Sequence, residues 1–434
     1  IVSLNGVIQK PTDAFTVSAS VITFASNLVT GDVIDFIQIL GNVLDLGVPS
    51  DNTVTTAKIA DGAVTSAKLA SDSVTYEKIG YNANPYRNII INGDMSIAQR
   101  GTSATGLGNG DNGYHTCDRW KFTEVGAATA EFTQTQSTDV PTGQGFATSL
   151  KMDCTTADTS LASNEIFRIQ QHIEGQNLQY LKKGTANAES LTLSFWVKSN
   201  KTGIYTVYFY DNDNTRLNSK SYTIDSASTW EKKTITIAGD TTGAFDNNNA
   251  LSLLLSFQLL AGTDYTSGTL QDWGTSVTAN FAPGQVNLAD STSNDFYITG
   301  VQLEAGTSAS DFEFLPVDVN LQRCQRYYYV HAEGNGKHVG HAIYYTNVYL
   351  FNMVSFPTNM RAAPSMINTD GTDYYRVAQN GAADTFNSFN VGIQQPTTTS
   401  AGMDCNANIS GTAGFSGSCT TIHASALLAF SAEL

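Results

Sequence analysis

A ten-residue motif occurs three times in succession: DNTVTTAKIA from Asp51, DGAVTSAKLA from Asp61 and SDSVTYEKIG from Ser71. It places large apolar residues at Val54, Ile59, Val64, Leu69, Val74 and Ile79, five apart each time. That spacing matches neither the period of two of a strand nor the 3.5 of a heptad, so a simple coiled coil is excluded. Each unit reads as a short extended piece ending in Val, a Thr able to cap, one helical turn through Ala-Lys-Ile or its equivalent, and a polar turn. One chain of this kind cannot bury its own apolar column, because a repeat this small completes a core only against neighbours. Three parallel chains around an axis supply them. A flexible Ser/Thr linker would not hold an apolar residue at every fifth position. Residues 50–80 are therefore expected to form the stalk of a homotrimer with those six side chains at its core. At 1.5 to 3.3 Å rise per residue the repeats span roughly 45 to 100 Å.

The segments on either side of the repeats alternate in the manner of strands. Over 1–49, Phe15 and Val17, then Ile22 and Phe24, then Val33 to Leu40 predict three or four short strands, with turns at Asn5-Gly6 and Thr30-Gly31. This is a β shoulder. From 81 to 316 the runs TLSFWVKS (Thr192), IYTVYFYD (Ile204), WEKKTITI (Trp230), LSLLLSFQLL (Leu251) and FYITGVQLEAG (Phe296) predict at least eight strands. That pattern suggests a two-sheet jelly-roll β-sandwich, similar in strand pattern to carbohydrate-binding modules. Ile166 to Leu181 hints at a helix. Residues 317–434 open on a short helix at Asn320 to Gln325 and continue in Tyr-rich strands with long Gly/Asn/Thr loops, a distal β tip domain. The fold class is mainly β.

Composition narrows the partners. The 23 basic and 39 acidic residues leave a formal charge of −16, the wrong sign for phosphate backbones, so nucleic acid and anionic membrane are poor partners and neither nucleic-acid binding nor membrane insertion is expected. The longest apolar stretch, Ala250 to Ala261, is broken by Ser252, Ser256 and Gln258 and falls short of the roughly 20 residues that insertion into a bilayer needs. Charged residues make up only 14% of the chain, and 21 Phe and 19 Tyr argue that it folds, as extracellular β structure does. The sequence opens at Ile1 without Met or leader, and we read its true N-terminus as missing. None of the spacings among Cys117, Cys154, Cys324, Cys405 and Cys419 resembles a zinc site, and no cofactor is expected. Cys405 and Cys419 either close their Gly/Ser-rich loop as a disulfide, worth ~3 kcal/mol, or stand as buried free thiols.

NIIINGDMSIAQRG (Asn88 to Gly101), Asp118-Arg119-Trp120, SLKMDCTTAD (Ser149 to Asp158), QQHIEGQN (Gln170 to Asn177), TLSFWVKS, TGVQLEAG (Thr299 to Gly306) and LQRCQRYY (Leu321 to Tyr328) resemble, in this order, the tail-fibre and receptor-binding proteins of tailed bacteriophages, notably marine ones. FPTNMRAAP (Phe356 to Pro364) is similar to a distal-domain motif of the same family, and LNGVIQ, AFTVSASVITF and the ten-residue repeat resemble virion-proximal fibre modules. The resemblance implies a homotrimeric fibre located on the virion and outside the cell. Its N-terminal end would meet phage tail or adaptor proteins, and its C-terminal end would recognise a host surface polysaccharide or lipopolysaccharide. The family motifs determine the fold and carry over no binding residue.

Sugar recognition without charge needs aromatic faces for pyranose rings and amides or hydroxyls for hydroxyl groups, made useful by trimeric avidity. Tyr344, Tyr345, Tyr349, Tyr374 and Tyr375 of the tip, and Trp273 in a loop of the sandwich, are the glycan-binding candidates. Alternation along Ile343 to Phe351 puts about half of these Tyr inside. His338 and His341, three apart on a strand, fall on opposite faces and are not expected to share a metal. Asp211-Asn212-Asp213-Asn214 reads as a hairpin turn, since it lacks the Gly and Glu of an EF-hand loop. No nucleophile elbow, P-loop or HExxH is present, and the chain is not expected to be an enzyme. The alternatives are a tailspike that depolymerises its polysaccharide with two carboxylates, and a purely structural fibre segment.

Overall fold

Asn5 and Gly6 both take positive φ, 52° and 75°, the geometry of a type I′ turn, which closes a hairpin of β1 (Val2–Leu4) and β2 (Val7–Gln9). The computed structural model describes residues 1–39, 54–60, 63–65, 68, 69, 86–390 and 394–434. The chain divides into two units, 1–75 and 76–434.

In the first unit β5 (Ile34–Ile37) pairs with β1 to make a three-stranded antiparallel sheet. β3 (Phe15–Ser18) and β4 (Val21–Phe24) form a separate hairpin with Phe15 against Phe24, ring centroids 6.4 Å apart. Among the described residues five strands stand where three or four were expected, because β1 and β2 are too short to show alternation. The sheet leaves much apolar surface in water: Val7, Ile8, Phe36, Ile37 and Ile39 are all exposed. In the repeats, the amide of Lys58 donates to the carbonyl of Thr55 and that of Lys68 to the carbonyl of Thr65, both at 2.9 Å, the same turn ten residues apart. Val54, Ile59, Val64 and Leu69 are 43–54% exposed in the single chain. Val74 and Ile79 lie outside the described residues.

The second unit opens with a sandwich. Its strands are β6 (Ser103–Gly108), β7 (Asn112–Tyr114), β8 (Lys121–Val125), β9 (Glu131–Ser137), β10 (Ser149–Thr156), β11 (Ile166–Glu174), β12 (Leu191–Ser199), β13 (Gly203–Asp211), β14 (Arg216–Ile224), β15 (Glu231–Ile237), β16 (Leu251–Ala261), β17 (Gly274–Thr275) and β18 (Asp295–Ala305). One sheet runs β15-β12-β18-β10-β9-β6 and the other β17-β14-β13-β16-β11-β8-β7. The chain crosses between sheets at β6 to β7, β8 to β9, β10 to β11, β11 to β12, β12 to β13, β14 to β15, β15 to β16 and β17 to β18, a jelly-roll course. Alternation does the sorting: Leu193, Phe195 and Val197 face Val207, Phe209, Leu255 and Phe257 across the interior, all fully buried, with Phe195 and Phe257 ring centroids 5.1 Å apart.

The helix hinted at over Ile166 to Leu181 is strand β11 followed by two 3-10 turns, Gly175–Asn177 and Gln179–Leu181. The reason is burial on both faces. Ile169 and Ile173 point into the sandwich while Gln170, His172 and Glu174 are buried beneath other segments, so the strand shows no clean period of two. Asp211 to Asn214 make the β13–β14 turn, with Asp211 Oδ1 accepting from the amides of Asp213 and Asn214 at 3.1 Å.

The helix Val317–Gln325 leads into a second, smaller sandwich. β19 (Tyr328–Glu333), β22 (Ser365–Asn368) and β27 (Leu427–Ser431) form one sheet in the order β19-β27-β22. The other is β24-β23-β26-β20-β21-β25, from β20 (His338–Thr346), β21 (Tyr349–Ser355), β23 (Tyr375–Gln379), β24 (Ala382–Phe386), β25 (Ser400–Cys405) and β26 (Ser416–Thr421). Their core holds Tyr344, Leu350, Val377, Phe386, Met403 and Phe430. All five cysteines are buried and free, so Cys405 and Cys419 do not close their loop as a disulfide.

Candidate functional site

Strict alternation on β20 and β21 divides the tip's tyrosines. Tyr344 points inward and is fully buried, its hydroxyl 3.3 Å from Asp384 Oδ2. Tyr345 points outward and is 77% exposed. Its ring meets Tyr349 edge to face at 6.1 Å. Around this pair Ile343, Val348, Phe351, Gln394, Gln395 and Asn406 line an open groove of about 950 Å³. It continues past Met353 and Thr397 into a further depression of about 390 Å³ that shares Tyr349, Phe351, Gln394 and Gln395.

The floor of the groove depends on one missing side chain. A Cβ on Gly402 would come within 2.7 Å of the Phe351 ring and 3.1 Å of Gln394 Cβ. Glycine there lets Phe351 lie flat across β25 and lets Gln394 pair with it by two backbone hydrogen bonds of 2.8 and 2.9 Å. Gln394 Nε2 donates to Asp404 Oδ1 at 3.2 Å, while Asp404 also accepts from Asn390. Burial first, and Asp404 second, push the Tyr349 phenol up, so it stays a neutral hydroxyl. The groove therefore offers three aromatic rings, an aliphatic wall of Ile343, Val348 and Met353, and amide groups, which suits a polar ligand with apolar faces.

The remaining predicted residues do not join it. Tyr375 is fully buried between Phe386 and Phe389, with its hydroxyl bonded to the carbonyl of Leu427 at 3.0 Å. Tyr344 and Tyr375 therefore have no face to offer a ligand and are core residues. Tyr374 is stacked on His423, ring centroids 4.1 Å apart at 10°, and packs against the tip core. Trp273 is half-buried against the sandwich core, its indole N–H donating to the carbonyl of Ala238 at 3.1 Å. Only Tyr345 and Tyr349 are brought together. Sequence reasoning missed Phe351, Gln394 and Gln395, although Phe351 stands in the same alternating run as Tyr349.

His338 and His341 are both exposed, while Val339 between them and Ala342 after them are buried. A register shift between His338 and Gly340 undoes the expected placement on opposite faces. Among the described residues no three His, Cys, Asp or Glu side chains gather to hold a metal.

The contact between the two sandwiches is built from residues far apart in sequence. Arg119 is fully buried: one arm of its guanidinium meets the Glu433 carboxylate, the other donates to the His172 carbonyl at 2.6 Å, and its plane lies 3.5 Å over the Tyr327 ring. Arg100 reaches the same carboxylate at 3.1 Å and lies 3.5 Å over Tyr328. Arg326 grips Glu174 through two bonds of 2.8 and 2.7 Å. Arg361 donates to the carbonyls of Ala432, Glu433 and Asn249. Asn92 at φ 58° binds the carbonyls of Ile97 and Asp118 and the amide of Ile97. Motif residues from 88–101, 118–120, 170–177, 321–328 and 356–364 thus converge on one joint between the sandwich and the tip. Burial pushes the Asp118 carboxyl up to about 6 against the pull of Arg100. It pushes His172 down to about 3, helped by Lys121 and Arg119.

No protein family and no curated protein matches the sequence. Among solved structures, the chain is similar to the enzymatically active domain of bacteriophage CBA120 tailspike protein 4, at 15% identity and a TM-score of 0.29, over 51% of this chain and 22% of that one. It is also similar to a family 11 carbohydrate-binding module from Clostridium thermocellum in complex with a mixed-linked tetrasaccharide, at 10% identity and a TM-score of 0.25, over 48% and 98% of the two chains. A third likeness is to TmCBM61 in complex with β-1,4-galactotriose, at 12% identity and a TM-score of 0.24, over 50% and 99%. The fold described above rests on the chain's own sheets.

Proposed function

We propose that this chain is the adhesive fibre of a tailed phage, a homotrimer that binds a host surface polysaccharide or lipopolysaccharide through the tip groove and leaves the polymer intact. The groove around Tyr345 and Tyr349 carries the reading: aromatic faces meet there with the exposed amides of Gln395 and Asn406 on one surface. Its lining residues are aromatic, aliphatic, hydroxyl and amide, whereas glycoside hydrolysis uses two carboxylates set about 5 to 9.5 Å apart. The trimer is supported by the exposed column of Val54, Ile59, Val64 and Leu69 and by the bare apolar face of the shoulder sheet, surface that companion chains would cover. In this reading the N-terminal end meets the phage tail and its adaptor proteins and the C-terminal domain meets the host surface, on the outside of the virion.

The test mixes the purified protein with labelled host-surface polysaccharide and follows polymer size and co-sedimentation in one ultracentrifuge run. Full-length polymer moving with the protein is the expected result. Polymer that shortens with time identifies a depolymerase instead, and polymer that neither moves nor shortens identifies a structural segment.

A further inference from the structure

Beside the joint a second cavity of about 280 Å³ opens, lined by Tyr86, Asn177, Tyr180, Arg323, Arg326 and His172 with their neighbours. Its two arginines differ. Arg326 is spent on Glu174. Arg323 makes one hydrogen bond, to the carbonyl of Asn88 at 3.3 Å, and among the described residues no ion pair. Nearby acids are occupied: Glu174 by Arg326 and the Tyr327 hydroxyl, and Glu313 by the amides of Tyr86 and Asn88 at 2.8 and 2.9 Å. His172 is 7% exposed, and its Nδ1 stands 3.1 Å from the carbonyl oxygen of Leu434, which makes Nδ1 the donor and leaves Nε2 a bare lone pair. Nε2 is buried without a partner and out of reach of the cavity. At the rim the rings of Tyr86 and Tyr180 stand half in solvent.

We propose that this cavity binds one carboxylated sugar ring, a uronate or a related sugar acid. The free fork of Arg323 matches a carboxylate through two parallel hydrogen bonds. The exposed amide of Asn177 meets ring hydroxyls, and the tyrosines flank the ring's apolar face. A bare phosphate or acetate would satisfy the arginine alone, leaving the Asn177 amide and the aromatic rim unused. The volume sits at the small end for ligand sites, room for one residue and not for a chain. With a formal charge of −16 the chain does not steer acids from a distance, so affinity must come from these contacts. The site shares no residue with the tip groove and goes beyond the function proposed above.

The experiment titrates the whole chain calorimetrically with D-glucuronate, D-galacturonate and N-acetylneuraminate, and in parallel with D-glucose, acetate and inorganic phosphate. At least one sugar acid should bind saturably, with glucose, acetate and phosphate weaker by about tenfold or more. Arg323→Met should weaken that binding by about tenfold or more, and the double variant Tyr345→Ala, Tyr349→Ala should leave it unchanged. Equal binding of acetate or phosphate means an adventitious ion only and overturns the proposal, as does no binding of any sugar acid or full affinity in Arg323→Met. If Arg323→Met does not fold, phenylglyoxal modification of the unaltered chain, read by mass spectrometry, decides: the sugar acid should slow the reaction at Arg323, and absence of protection overturns the assignment.

Discussion

Replacing Glu433 by alanine should loosen the tip from the sandwich. The carboxylate meets Arg119, which is fully buried, and also Arg100 at 3.1 Å. Without it Arg119 keeps the His172 carbonyl and the Tyr327 ring but loses its counter-charge in a site that water does not reach. Breaking a buried pair from one side costs about 3–5 kcal/mol. Glu433→Gln keeps an acceptor and should cost less, roughly 1.5–3 kcal/mol, the worth of a hydrogen bond to a charged group. At about 2 °C per kcal/mol for a large domain, the alanine variant should lower the transition by about 6–10 °C. Differential scanning calorimetry reads this, and raising the salt should change it little because the pair is out of reach of screening ions. The double variant Arg119→Met, Glu433→Met removes both charges and should recover most of the loss. A calorimetric transition for Glu433→Ala within about 0.5 kcal/mol of the parent, or a double variant that loses the sum of the two singles, would refute the reasoning.

Acid should destabilise the protein through His172, whose folded value near 3 lies below its ordinary 6.5. The unfolded chain then binds the extra proton, so stability falls as pH drops from 6.5 towards 3, by up to about 1.4 kcal/mol per unit. Asp118 works the other way: raised to about 6 from 3.8, it takes its proton first in the folded state and adds stability as pH falls from 6 to 3.8. Denaturant melts at pH 4 to 7 should therefore steepen in acid for Asp118→Asn and flatten for His172→Asn; unchanged slopes in both contradict the assignment. Ile59→Asp with Leu69→Asp should dissociate or unfold the stalk in sedimentation equilibrium, and a trimer of unchanged stability would sink the packing argument. Tyr345→Ala with Tyr349→Ala should abolish co-sedimentation with polysaccharide while leaving the melting curve in place, since both rings project from the surface; retained binding removes the groove from the mechanism.

Tyr344 and Tyr345 show how far the sequence reaches into the site. Alternation says that one is inside and one outside but not which, since both are tyrosines and the run around them is aromatic on both faces. Phe351 and Tyr349 share a face by their spacing, but Gln394 comes to them only because β25 carries Gly402 where any side chain would collide. His338 and His341 were assigned by a period that a bulge interrupts, and β11 lost its period because it is buried on both sides.

The mainly β class, the inward faces of β12 and β13, the turn at Asn5-Gly6, the hairpin at Asp211 to Asn214 and the matching turns at Lys58 and Lys68 were all determined by the sequence itself. Each is a matter of neighbours within about ten residues, where backbone geometry turns spacing directly into a face or a bend. The joint was decided by tertiary structure alone. Arg119 and Glu433 lie 314 residues apart, and Arg326 and Glu174 lie 152 apart. No periodicity links such pairs: a charged residue reads as solvated surface until the fold removes its water, and only then does it need the one partner that the packing has brought within reach.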